Sequence, residues 1–294
     1  MSAALHLNLD DAWAPETAGL PVLDLREWGP RLRFAAPGKL IEKFYSEHSA
    51  RLSPFLLYGS GDFHHLSALW LRRLSEPFVL ISFDNHPDWD VRPPRWACGG
   101  WINRALEQPQ LRKAIVWGCG NFETWWPARI FGNRRAEEEG RLELHAWADE
   151  RGPRERARPG AILRTTWREE FERSMTSLAG ENIYLTIDLD CLRAGEAVTN
   201  WENGRFSVED VVWALGKLRG RAHVIAGDIC GAYSKPVYAR RGQRFVAEFD
   251  HPKLTLPNEL KARAINSAAL AALWPALTQG NKDDAGRDQE RADN

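Results

Sequence analysis

Short uninterrupted apolar runs alternate along the chain with longer stretches whose apolar residues recur at helical spacing. The runs Phe55–Tyr58, Phe78–Phe83, Ala114–Gly118, Leu142–Ala146, Ile183–Ile187 and His223–Ala226 predict strands. The stretches Pro37–Glu47, His65–Leu74, Gly100–Glu107, Trp167–Leu178, Ser207–Leu218 and Asn258–Leu273 predict helices. Ser207 with Asp210 three residues on has the form of a helix N-cap. Strands that read as continuous Val/Ile/Leu runs, each followed by a helix, predict an α/β fold with a mostly parallel sheet covered on both faces. No linker-like segment interrupts residues 1–278, which are read as one domain. The polar segment 279–294 lacks bulky apolar side chains and is read as a disordered tail.

In such sheets ligands collect beyond the carboxyl ends of the strands. Three predicted strands run there into polar clusters. Phe55–Tyr58 leads into Gly59-Ser60-Gly61-Asp62-Phe63-His64-His65, Phe78–Phe83 into Asp84-Asn85-His86-Pro87-Asp88, and Ile183–Ile187 into Asp188-Leu189-Asp190. An extended backbone would point Asp84, His86 and Asp88 the same way, and likewise Asp188 and Asp190. Like-charged carboxylates held together repel and force one another's pKa upward, a penalty that a bound cation removes. Four carboxylates balance two divalent ions. A mixed carboxylate and imidazole donor set suits Mn²⁺ best, ahead of Fe²⁺, Co²⁺ or Zn²⁺.

Composition excludes more than it selects. With 39 Lys+Arg against 40 Asp+Glu, the net charge of −1 provides no global basic field for nucleic acid or an anionic membrane. The apolar runs fall short of the ~20 residues a membrane helix needs. Met1–Asp11 lacks a basic segment followed by an apolar core, so no secretory signal is expected. Cys98, Cys119, Cys191 and Cys230 are scattered without a CxxC, which fits a reduced, cytoplasmic setting. Fourteen Trp against two Met is the one unusual count, and several of these Trp fall beside the polar clusters.

The three clusters, in this order, resemble the motifs of the arginase/agmatinase (ureohydrolase) family within the arginase–deacetylase superfamily: Gly-Gly-Asp-His, then Asp-x-His-x-Asp, then Ser/Thr-x-Asp-x-Asp. The resemblance spans residues 20 to 275 and implies a three-layer α/β/α fold with two divalent metal ions, most simply Mn²⁺. It implies that one ion takes His64, Asp84, Asp88 and Asp188, and the other His86, Asp84, Asp188 and Asp190. Asp88 would also orient a metal-bridging hydroxide that hydrolyses a carbon–nitrogen bond. The first motif reads Gly-Asp-Phe-His-His, so the ligand is His64 or His65; His64 is preferred because the residues after it then align with the next helix. Two departures matter. Gly231 in Asp228-Ile229-Cys230-Gly231 stands where the family carries its guanidinium-binding Glu, and Cys98-Gly99-Gly100-Trp101 stands near the family's His-Gly segment.

The reading is therefore a dinuclear hydrolase of an amide, amidine or formimino carbon–nitrogen bond in a small-molecule substrate, and not a true arginase. Arg92 or Arg95 would bind an anionic substrate group, with Trp101 and Tyr233 at the pocket wall. Cys98 is read as a buried thiol near a turn, and His145, His223 and His251 are assigned structural or surface roles. Alternatives are a dinuclear phosphoesterase, although no Gly-Asn-His-Asp/Glu segment is present, a single-metal deacetylase-like site, and a metal-binding member without catalysis. Ureohydrolases commonly form trimers or hexamers, which makes a homo-oligomer an open expectation.

Overall fold

The computed structural model describes residues 3–255 and 257–279. Nine strands form one sheet: β1 Ala4–Asn8, β2 Val22–Asp24, β3 Phe55–Tyr58, β4 Phe78–Phe83, β5 Leu111–Cys119, β6 Leu142–Trp147, β7 Ala161–Ile162, β8 Asn182–Asp188 and β9 His223–Cys230. Their order is β2-β1-β3-β9-β8-β4-β5-β6-β7, and every pairing is parallel. Helices cover both faces, giving the expected three-layer α/β/α architecture.

Burial on both faces explains the uninterrupted apolar runs. Along β4, Phe78 and Leu80 enter one hydrophobic layer while Val79, Ile81 and Phe83 enter the other. The first layer packs against helix Gly38–His48 through Ile41 and Phe44. The second packs against helices Trp167–Thr176, Val208–Arg219 and Glu259–Thr278 through Phe171, Leu215 and Leu270. The capping pair forms as expected. Ser207 Oγ accepts from Asp210 N at 3.1 Å and Asp210 Oδ2 accepts from Ser207 N at 3.0 Å.

Several expected elements differ. β9 runs four residues further than the apolar pattern suggests, to Cys230, because its polar Asp228 is buried rather than solvated. The expected helix His65–Leu74 is three short pieces: 3₁₀ turns Gly61–Leu66 and Leu71–Arg73 around an α turn Ser67–Trp70. Strand β1 carries buried His6 and Asn8, and these polar residues hid it from an apolar reading. Helix Arg241–Asp250 was also unforeseen; it buries only Gln243 and Ala247, too little for a periodic signal. The expected tail, residues 279–294, lies outside the described residues apart from Gln279. No helix among the described residues is long and apolar enough to cross a membrane.

Candidate metal centre

Strand order assembles the site. β4 and β8 are neighbours whose register pairs Phe83 with Ile187, so the next residues, Asp84 and Asp188, leave the sheet side by side. β9 separates β8 from β3, and the segment after β3 must therefore bring His64 across the end of β9. Gly231 makes room for that arrangement. It has φ +98°, and a Cβ there would lie 2.1 Å from Asp188 Oδ1 and 2.5 Å from Leu189 N. A Glu side chain is sterically excluded at this position.

The carboxylates do not converge by extended backbone as the spacing suggested. Each first Asp folds the chain back by accepting from the amide two residues on: Asp84 Oδ1 from His86 N at 2.7 Å, and Asp188 Oδ1 from Asp190 N at 3.0 Å. Asp88 then adopts φ +46°, uncommon for a residue with a side chain. Asp190 Oδ1 accepts from Asn85 N at 3.0 Å, which ties the two segments together. With one oxygen of Asp84, Asp188 and Asp190 each engaged by backbone, their other oxygens turn inward.

Three donor groups result: His64–Asp84–Asp188 and Asp84–His86–Asp190, which share Asp84, and His64–Asp228–Cys230 on the other side of the His64 ring. His64 Nδ1 lies 3.1 Å from Asp84 Oδ2 and 3.4 Å from both Asp88 Oδ2 and Asp188 Oδ2. His86 Nδ1 lies 2.8 Å from Asp190 Oδ2 and 3.7 Å from Asp84 Oδ1. Donors held about 2.1 Å from one cation at right angles sit roughly 3.0 Å apart, so these separations are those of a shared coordination shell. His64 Nδ1 has no hydrogen-bond partner although it is buried among three acceptors. A ring nitrogen without a hydrogen-bond partner, facing three carboxylate oxygens, is what a cation site requires, and the residues fit a pair of divalent ions. Of the doublet, His64 is the one whose ring nitrogen faces the carboxylates. His65 is equally buried, but neither of its ring nitrogens has a partner, and burial lowers its pKa to about 3.

Electrostatics agree. Burial, reinforced by neighbouring carboxylates, pushes Asp88, Asp188 and Asp190 above the ordinary carboxylate range. Burial acts the same way on Asp84, but the imidazoles of His64 and His86 beside it hold it below that range. Without a cation the cluster is an accumulation of negative charge that must take up protons. Divalent ions would remove that need.

Trp101, expected at the pocket wall, is fully buried. Its Nε1 donates to Asp88 Oδ2 at 2.6 Å and its ring lies 4.6 Å from that of His64, so it fixes a carboxylate instead of meeting substrate. The cavity over the cluster, about 40 Å³, is lined by Gly61, Asp84, His86, Asp88, Cys98, Gly99, Glu123, Asp188, Asp190, Trp201 and Asp250. Arg92 lies outside it, bonded to Asp90, in an adjoining cavity of about 220 Å³ that shares Glu123 and Asp250 with the first. Arg95 pairs with Glu107 on the surface, and Tyr233 lines a separate cleft with Lys235 and Lys253.

Residues without a local motif complete the surroundings. Arg33, 1% exposed, spends all five guanidinium N–H groups: Nε on Asp62 at 2.6 Å, and the others on Ser60 Oγ, Ser234 Oγ, Ser234 O and Asp10. Asp62 also accepts from Trp201 Nε1 at 3.2 Å and pairs with His251 at 2.7 Å. His251 is thus part of the frame that sets Trp201, whose ring packs edge-on to His86 at 5.3 Å. His145 is stacked on Trp117 at 3.5 Å, and the four cysteines are buried and free.

No family model matches the chain. A Thermotoga maritima protein described as uncharacterized is 30% identical over 175 residues, which are 59% of this chain and 55% of that protein, so the match spans about half of its length. Among solved structures, a Clostridium difficile agmatinase candidate superposes with a TM-score of 0.54 at 15% identity, covering 94% of this chain and 97% of that one. Arginase from Medicago truncatula gives 0.52 at 14% identity, covering 93% and 85%. Arginase from Bacillus subtilis gives 0.51 at 13% identity, covering 96% and 100%. With its all-parallel nine-stranded sheet between two helical layers, the chain shares the three-layer α/β/α fold of these agmatinase and arginase structures.

Proposed function

We propose that the protein is a dinuclear metal-dependent hydrolase that cleaves a non-peptide carbon–nitrogen bond of a cationic, amidine-like small molecule. The observation that carries this reading is the pair of buried donor groups sharing Asp84, at the carboxyl ends of two adjacent parallel strands. His64, Asp84, Asp88 and Asp188 would hold one ion, and Asp84, His86, Asp188 and Asp190 the other, with Mn²⁺ favoured by the oxygen-rich donor set. When bound, such ions supply a water of near-neutral pKa and polarise the group under attack.

The protein's own contribution begins with Asp88. Trp101 Nε1–H holds its Oδ2, and the free Oδ1 can accept a proton and return it to the leaving nitrogen. Backbone amides anchor Asp84, Asp188 and Asp190, so the donor oxygens need no reorganisation. Trp201 and Cys98 narrow the approach and limit bulk water.

The lining supports a cationic substrate. Beyond the donor carboxylates, Glu123 and Asp250 complete an acidic rim, and neither Lys nor Arg is among the described lining residues. That surface favours a cation and opposes a phosphate ester, which argues against the phosphoesterase reading. Because position 231 admits no side chain, the cationic group would meet Glu123 and Asp250 instead of a carboxylate at that place. This disfavours free arginine as the substrate.

The test is a turnover screen of Mn²⁺-loaded protein over guanidino, amidine, formimino, acyl-amide and phosphoester compounds, read as ammonia, urea or phosphate release. Hydrolysis confined to cationic carbon–nitrogen compounds and abolished in Asp88→Asn is expected. Phosphate release would overturn the reading in favour of a phosphoesterase. No turnover with full metal loading would favour a non-catalytic metal-binding protein.

A further inference from the structure

Beneath the donor cluster lies a second polar group that the proposed reaction does not use. Asp228, on β9, is 0% exposed and has no Lys or Arg partner among the described residues. It is surrounded by hydroxyls instead. Thr186 Oγ1 donates to its Oδ1 at 2.6 Å, Ser67 Oγ to its Oδ2 at 3.0 Å, and Tyr184 also donates to Oδ2. Tyr58 Oη stands 3.3 Å from Oδ1 and 2.6 Å from Ser67 Oγ. Three strands and the turn after β3 thus converge on one carboxylate. The register that pairs Thr186 with Asp228 makes the central contact possible.

The proton count has a consequence above it. His64 Nε2 lies 2.9 Å from Thr186 Oγ1. A threonine hydroxyl has a single hydrogen, and here Asp228 takes it. Toward His64 the oxygen can then only accept, so Nε2 carries the ring hydrogen. In the neutral, metal-binding ring the lone pair is then left on Nδ1, the atom that lies 3.1–3.4 Å from Asp84, Asp88 and Asp188.

We propose that Thr186 and Asp228 are positioning residues that lock His64 in its Nε2–H tautomer, with Tyr184 and Ser67 holding Asp228 in the acceptor role. The relay orients the imidazole and raises its basicity as a ligand. It also accounts for a buried carboxylate with no Lys or Arg partner among the described residues, which would otherwise be costly. The inference rests on the metal reading above and adds residues that touch neither ion nor substrate.

The experiment uses the full chain. Mn²⁺ affinity is measured by chelator competition for wild type, Thr186→Val, Thr186→Ser and Asp228→Asn. Loss of the relay weakens binding about 10–100-fold in Thr186→Val and Asp228→Asn, whereas Thr186→Ser stays within about threefold of wild type. In parallel, ¹⁵N-histidine NMR of the Zn²⁺-loaded wild type assigns the tautomer of His64, with hydrogen on Nε2 and metal on Nδ1 expected. Unchanged affinity in folded Thr186→Val, failure of serine to rescue, or a His64 bound through Nε2 would overturn the inference. If Thr186→Val does not fold, the NMR assignment on the wild type decides alone. Wild type that binds no metal would instead overturn the proposed function, and this inference with it.

Discussion

Arg33→Met removes the guanidinium that joins the segments around the site while keeping most of the side chain's volume. Arg33 is 1% exposed and Asp62 fully buried, so the substitution leaves Asp62 without its 2.6 Å partner and Asp10 without its 3.4 Å one. Breaking a buried pair in this way costs about 3–5 kcal/mol, because the remaining charge stays desolvated. For a chain of this size that is roughly 6–10 °C in Tm. The pH dependence has a definite sign. Burial would raise Asp62, but Arg33 and His251 hold it at about 2, below its ordinary 3.8. Its stabilisation is therefore present above pH 3.8 and is lost as pH falls through about 2. Asp10 starts higher, because burial outweighs its longer contact with Arg33. In the variant both carboxylates rise and protonate on mild acidification. The deficit relative to wild type should accordingly be largest near neutrality and shrink below about pH 5. Adding Asp62→Asn to the variant should restore part of the loss, since the orphaned charge is removed. Urea unfolding between pH 4 and 8 measures the deficit of the variant and its decline on acidification. A variant within about 1 kcal/mol of wild type at pH 7 would mean that the pair behaves like a surface salt bridge, and would refute the reasoning.

Gly231→Ala combines a positive φ with a Cβ 2.1 Å from Asp188 Oδ1; it should destabilise by more than ~1 kcal/mol and weaken metal binding, measured by thermal unfolding and chelator competition. Trp101→Phe deletes the 2.6 Å bond to Asp88 while keeping the ring beside His64. A hydrogen bond to a charged group contributes about 1.5–3 kcal/mol, so turnover should fall about 10–100-fold with metal content unchanged. Arg95→Ala should leave turnover and KM as in wild type, because Arg95 pairs with Glu107 away from the donor cluster.

The parts of the fold legible in the sequence are those where physics acts locally. β3 and β4 were bounded correctly because both of their faces are buried, which leaves an unbroken apolar run ending at the first polar residue. The carboxylate and histidine cluster was legible because like charges at successive strand ends demand an explanation. Its geometry was not: Asx-type turns and a positive φ at Asp88, rather than extended backbone, bring the oxygens together. The Arg33 network was invisible because its partners lie 29 and 201 residues away, and a single Arg reads as surface until its surroundings are known. Asp228 stood in a segment examined for another reason, and only the strand register shows that it meets Thr186. The Trp surplus is mostly core: Trp13, Trp89, Trp117 and Trp167 are each nearly inaccessible, while Trp101 and Trp201 flank the site.

The central claim is two cations on one donor set, and metal stoichiometry tests it most directly. Metal-free protein reconstituted with Mn²⁺, freed of excess ion and analysed by mass spectrometry should contain about two ions per chain. Asp84→Asn, which removes the carboxylate common to both donor groups, should retain less than one. Reconstituted wild type that holds no metal, or an Asp84→Asn variant that holds as much as wild type, would contradict the account.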